Sequence, residues 1–130
     1  LYHATKWGIE GFVESVAKET APFGIHFTLV EPGPARTQFK TGVVQTTRSD
    51  AYVGTPADEL RRALVDGPWK IVGDPDRMVD AMLHVAQRSA PPLRLVLGGS
   101  SYDAIRRSLL ARIDALDAQK DIALSTDRPE

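Results

Sequence analysis

Between residues 2 and 20 apolar side chains return every three to four positions, at Ile9, Phe12, Val13, Val16 and Ala17. That period predicts one face of an α-helix, with Glu14 and Lys18 four apart on its wet side. After Gly24 the period drops to two: Ile25, Phe27 and Leu29 alternate with His26 and Thr28. A strand follows, running through Val30-Glu31 into the Pro32-Gly33-Pro34 break. From Thr37 to Trp69 the pattern loosens, and Thr41 to Arg48 has no clear period, as expected of a loop. Thr55-Pro56-Ala57-Asp58 then supplies a helix cap, a proline at the first helical position and a capping-box acid. Asp74-Pro75 opens the next helix, striped by Met78, Val79, Met82, Leu83 and Ala86 and ended before Pro91-Pro92. Leu93 to Leu97 reads as a second strand. Gly98-Gly99 and capping serines Ser100 and Ser101 lead into a last helix marked by Ile105, Leu109, Ile113 and Leu116, trailed by a polar end from Lys120.

Strands alternating with helices imply a parallel α/β sheet of the doubly wound kind. Two strands with four or five helices are too few to cover such a sheet on both faces. The expectation is that residues 1–130 are the C-terminal part of one Rossmann-like domain whose N-terminal half is absent. The opening on Leu1, with no loop before the first helix, adds to that expectation. Sixteen basic against seventeen acidic residues, net charge -1, provide no broad field for nucleic acid or an anionic membrane, so neither is expected as a partner. The chain has no cysteine, which excludes disulfides and thiolate metal sites. No signal-like or membrane-spanning run occurs, and a cytoplasmic location is expected by default. His3, His26 and His84 have no helical or acidic companions at ligand spacing, so no metal site is expected.

The candidate chemistry lies at the head of the first helix. Tyr2 and Lys6 stand four apart on one helical face, where an ammonium can bias a phenol towards giving and taking a proton. A free phenol, with a pKa of about 10, is a sluggish acid–base group at neutral pH. Such pairs also arise cheaply on helix surfaces, and their context decides between the two readings. Gly8 and Gly11 each cost about 1 kcal/mol inside a helix. With Ala4 and Ser15 they form a stripe of small residues fit for the close approach of another backbone, in a subunit interface or within one subunit.

Tyr2-x-x-x-Lys6, the helix carrying Glu10, Gly11 and Phe12 and ending Ala17-Lys18-Glu19, and then Gly24-Ile25 leading into Glu31-Pro32-Gly33 resemble the short-chain dehydrogenase/reductase superfamily. The run from Pro32 to Phe39 is most similar to its single-domain, hydroxysteroid-dehydrogenase-like branch. The resemblance implies hydride transfer between NAD or NADP and an alcohol or ketone, with Tyr2 moving the proton and Lys6 holding the nicotinamide ribose while lowering the Tyr2 pKa. It implies cofactor contacts from Tyr2, Lys6, Pro32, Gly33, Pro34, Ala35 and Thr37, and a small-molecule substrate pocket walled by Phe39, with Trp69 either capping it or serving as scaffold. A homo-oligomer is implied for the full-length parent. The glycine-rich phosphate turn and the catalytic serine and asparagine belong before Leu1, so the fragment alone is expected to be inactive. Rival readings are a non-catalytic relative of the same fold and a nucleotide-sugar epimerase or dehydratase.

Overall fold

The computed structural model describes residues 2–38, 42, 47, 49–67 and 71–128. Helix α1 spans Tyr2–Thr20 and tightens into a 3-10 turn at Ala21–Phe23. Pro22 removes a backbone donor there, and Gly24, at φ 69, closes the turn by donating to the Ala21 carbonyl at 3.0 Å. The chain then runs to strand β1, Leu29–Pro32. Helices α2 (Pro56–Asp66) and α3 (Pro75–Ala86), strand β2 (Arg94–Leu97), and helices α4 (Gly99–Asp117) and α5 (Lys120–Leu124) complete the order. The two strands pair in parallel, Leu29 opposite Arg94 through Pro32 opposite Leu97. Among the described residues the architecture is therefore α/β, with a two-stranded parallel sheet, as the alternation predicts.

β1 is shorter than the alternation from Ile25 predicts. The segment that would have to pair with residues 25–28 contains Pro91-Pro92, and proline has no N–H for a ladder. A side chain takes over at that level, with the Thr28 hydroxyl donating to the Pro92 carbonyl at 2.8 Å. Regular pairing begins one residue later, where the Leu29 N–H donates to the Leu93 carbonyl.

The caps of α2 and α3 follow from sequence. Thr55 Oγ1 accepts from the Asp58 N–H, and Asp74 accepts from the N–H groups of Asp76 and Arg77. Asp58 departs from the reciprocal capping box: its buried carboxylate accepts from the Gly54 N–H at 3.1 Å and from Arg62 at 2.6 Å. For α4 the expected serine caps are not used. Gly98, at φ 101, is the N-cap, and Ser100 and Ser101 lie in the first turn. The polar end also differs from its reading, since residues 120–124 form α5.

Among the described residues the buried hydrophobic core is Met78, Val85 and Leu97. The α3 stripe is split accordingly: Met78 is buried and Met82 half-buried, while Val79 and Leu83 are exposed. α1 has no buried residue. Its apolar face is half-covered at Val13, Val16 and Ala17 and open at Ile9 and Phe12. No helix among the described residues is long and apolar enough to cross a membrane.

Candidate functional site

The head of α1 brings the expected pair together. Lys6 Nζ lies over the Tyr2 ring, 5.9 Å from its centroid, which is the outer reach of a cation–π contact. The His3 ring meets Tyr2 edge-on at 5.7 Å between centroids. Thr5 Oγ1 donates to the Tyr2 carbonyl at 2.8 Å, giving this acceptor of the first turn an additional partner. Tyr2 is 65% exposed, so its hydroxyl is open to a ligand rather than committed to a core.

An open cleft of about 540 Å³ lies where the two parallel strands end. Gly33 and Pro34 contribute to it from the end of β1, Gly98 to Ser100 from the end of β2, and Val72 to Asp74 with Arg77 and Met78 from the approach to α3. Ligand crevices of open α/β sheets form at the carboxyl ends of the strands. The walls are brought close by glycines. A Cβ on Gly33 would stand 2.6 Å from Ser101 Oγ, and the Gly33 N–H donates to the Leu97 carbonyl at 2.7 Å. The absence of a side chain at Gly33 thus serves the approach of α4, a reason the sequence alone did not supply. Ala35 bridges Gly73, and the Arg36 N–H donates to the Gly73 carbonyl at 3.0 Å. Arg36 and Arg77 each stand 3.9 Å from the Asp74 carboxylate, which also caps α3.

A third feature joins the helix to the sheet. Arg94, the first residue of β2, donates through Nη1 to Glu10 at 3.0 Å and to Glu31, and through Nη2 to Glu14 at 2.6 Å. Glu10 and Glu14 belong to α1, and Glu31 belongs to β1. The hydrogen bond from Arg94, and next its charge, hold the Glu14 carboxyl below its ordinary range, with Lys18 the smallest contributor. The expected Glu14–Lys18 pairing is thus displaced by a partner 80 residues away. The three glutamates hold the Arg94 guanidinium still further above its already high range.

Of the residues implicated by sequence, Tyr2 and Lys6 adjoin each other, and Gly33 and Pro34 line the cleft. Pro32 ends β1, Ala35 forms the bridge to Gly73, and Thr37 is exposed just beyond it. Tyr2 and Lys6 are not among the residues lining the cleft. Phe39 and Trp69 lie outside the described residues. Gly73 was not singled out from sequence, and Arg94 and Gly98 entered only as the ends of the second strand and its turn, without a role in the site. Gly73 had a local signal in the Gly-Asp-Pro turn. Arg94 had none, because its partners are 63 to 84 residues distant.

Helix, strand and loop in this order, with a Tyr–Lys pair at the helix head and a cleft at the strand ends, define a piece of a dinucleotide-type α/β domain. Residues 1–48 match the family model for short chain dehydrogenases. The chain is similar to oxidoreductase calM of Penicillium decumbens, 34% identical over 95% of this chain and 42% of that one. It is also similar to human retinol dehydrogenase 8, 30% identical over 97% of this chain and 41% of that one. The crystal structure of a short-chain dehydrogenase from Streptomyces avermitilis superposes with a TM-score of 0.80 at 33% identity, covering 97% of this chain and 46% of that one. The chain belongs to the short-chain dehydrogenase/reductase superfamily and spans less than half the length of these relatives.

Proposed function

We propose that the chain is the C-terminal part of an NAD(P)-dependent oxidoreductase that interconverts a small alcohol and ketone, with Tyr2 and Lys6 as its catalytic residues. The observation that carries this reading is the ammonium of Lys6 seated over the Tyr2 ring at the exposed head of α1. The donor set fits a nicotinamide nucleotide: an ammonium and a phenol side by side suit ribose hydroxyls and a substrate oxygen. The loop from Pro32 to Ala35, tied by a backbone bond from Gly33 to Leu97 and bridged to Gly73, offers a firm floor to the cleft. Thr37 follows directly on that loop and would add a hydroxyl to the contacts. Phe39 and Trp69 are proposed as walls of the substrate pocket.

When bound, the nucleotide supplies or accepts the hydride. In the reducing direction negative charge builds on the substrate oxygen, and the Tyr2 hydroxyl gives it a proton. Lys6 stabilises the phenolate left behind and orients the ribose through its N–H groups. In the oxidising direction the phenolate takes the proton back. The preceding part of the domain would hold the phosphate-binding turn, so this chain alone is expected to show no turnover. A homo-oligomer in the cytoplasm is proposed for the whole enzyme.

Tyr2→Phe tests the reading in the full-length enzyme. It keeps the ring and removes the proton, so turnover should fall by about 10²- to 10⁴-fold. Cofactor affinity, measured by fluorescence titration, should stay close to wild type. Near-normal turnover would take Tyr2 out of the mechanism.

A further inference from the structure

We propose that Arg94 is a positioning residue for the Tyr2–Lys6 pair, setting the height of α1 against β1 so that Lys6 stands level with Gly33. The catalytic consequence rests on the oxidoreductase reading above, but the geometric one does not.

Among the described residues no core holds α1. It has no buried residue, and one of its ties to the rest of the fold is the stacking of Arg112 on Trp7, at 4.6 Å from the ring centroid. Stacking on an exposed ring is tolerant of sliding. Arg94 is not, because its planar fork offers donors in fixed directions. One nitrogen, Nη1, serves both Glu10 of α1 and Glu31 of β1, which places those two carboxylates at the same level. The other nitrogen takes Glu14, one helical turn further on. A helix gripped at two successive turns can neither slide nor roll without losing a charged hydrogen bond.

The rest follows from the rises of helix and strand. α1 returns through a short connection into β1, so the two run in opposite directions. From Glu10 back to Lys6 is four residues of helix, about 6 Å. From Glu31 forward to Gly33 is two residues of strand, about 7 Å. Lys6 and Gly33 therefore stand at nearly one height above the shared guanidinium nitrogen, with Tyr2 one turn higher. Tyr2, Lys6, Glu10 and Glu14 are successive i, i+4 positions, so the face that Arg94 grips leads directly to the pair. Without Arg94, three carboxylates would face one another unpaired, and α1 would be pushed from the sheet.

The absence of native cysteine makes a direct test possible. In the intact protein, Lys6→Cys carries a nitroxide, and the amide signals of Gly33 and Ala35 report its distance by their broadening. With Arg94 present both should be broadened. Arg94→Lys keeps the charge, but a shorter side chain with a freely rotating ammonium has no planar fork to hold Glu10, Glu31 and Glu14 in fixed directions. The broadening at Gly33 should then weaken relative to wild type while the Val96 and Leu97 amide shifts hold. If Arg94→Lys does not fold, Glu10→Ala with Glu14→Ala cuts both links to α1 while leaving Arg94 and Glu31 in place, and should weaken the broadening in the same way. Unchanged broadening in the folded variant, with only a lower melting temperature, makes Arg94 a general stabiliser and overturns the proposal. In the active enzyme, the same Arg94→Lys should lower kcat by about 10- to 100-fold with KM little moved, as expected of a misplaced catalytic group. Full turnover in Tyr2→Phe would take Tyr2 out of the mechanism while leaving the broadening result untouched, so the two failures are separable.

Discussion

At Gly73 one methyl group separates the observed turn from a clash: a Cβ there would lie 2.4 Å from the Pro34 carbonyl oxygen and 2.9 Å from the end of Met78. The contact is with backbone, which cannot swing aside, so the residue type is set by the approach of two loops rather than by a local torsion. Glu14 is governed in the same non-local way, with a consequence for pH. Its folded-state pKa is lowered, so the ionised form is favoured by folding, and the resulting stability is present above the unfolded value of about 4.5 and lost as pH falls through the folded value. Arg94 remains charged throughout. In the intact protein the melting temperature should therefore fall on acidification below about pH 4.5, and Glu14→Gln should flatten part of that fall. Because the pair is solvent-exposed, added salt should shrink the difference between the two proteins. Parallel acid profiles for wild type and variant would show that Glu14 contributes nothing measurable.

At the scale of elements, α1 combines a helical period with an unusual lack of cover. A Cβ added to Gly8 or Gly11 would meet nothing within 4 Å, so among the described residues no crowded contact within this chain accounts for either glycine. Both nonetheless weaken the helix by about 1 kcal/mol each relative to alanine. A close approach would then come from outside this chain, from the preceding part of the same subunit or from a second subunit; for the second, Gly8→Leu should weaken a dimer or tetramer of the full-length protein because closely packed backbones cannot absorb the volume. Light scattering across a dilution series measures this. An unaltered mass at every concentration would return the stripe to an internal packing role within one subunit. A stabilised isolated helix together with a weakened assembly would be the clearest signature, since leucine is the better helix former.

At the scale of the whole molecule, the accessible surface is 11150 Å² for 14.2 kDa. A compact monomer of that mass exposes about 6,800 Å². The difference is largely apolar in character: Phe12, Leu109, Ile113 and Leu116 are each more than half exposed. With three buried hydrophobic residues among those described, the core offers little against a backbone entropy of about 1 to 2 kcal/mol per ordered residue. The polypeptide by itself should bind a hydrophobic dye strongly and melt without a sharp calorimetric transition. A cooperative transition with no dye binding would show that these helical faces need no cover.

The sequence by itself determined the order and type of the elements from α1 to α4, the caps at Thr55 and Asp74 and the adjacency of Tyr2 and Lys6. All of these depend on residues within a turn or two of one another, where helical and strand periods and side-chain-to-backbone hydrogen bonds act. The resemblance carried by those same local motifs was enough to point to the superfamily. What only the tertiary structure decided depends on groups distant in sequence. Pro91-Pro92 shortens β1 because the two segments meet in the sheet, Gly33 is crowded by the Ser101 side chain of α4 and Gly73 by the Pro34 carbonyl, and Glu14 hydrogen-bonds Arg94. No period in the chain encodes these partners, because parallel pairing and helix docking join segments some 60 to 80 residues apart through packing and charge rather than through spacing.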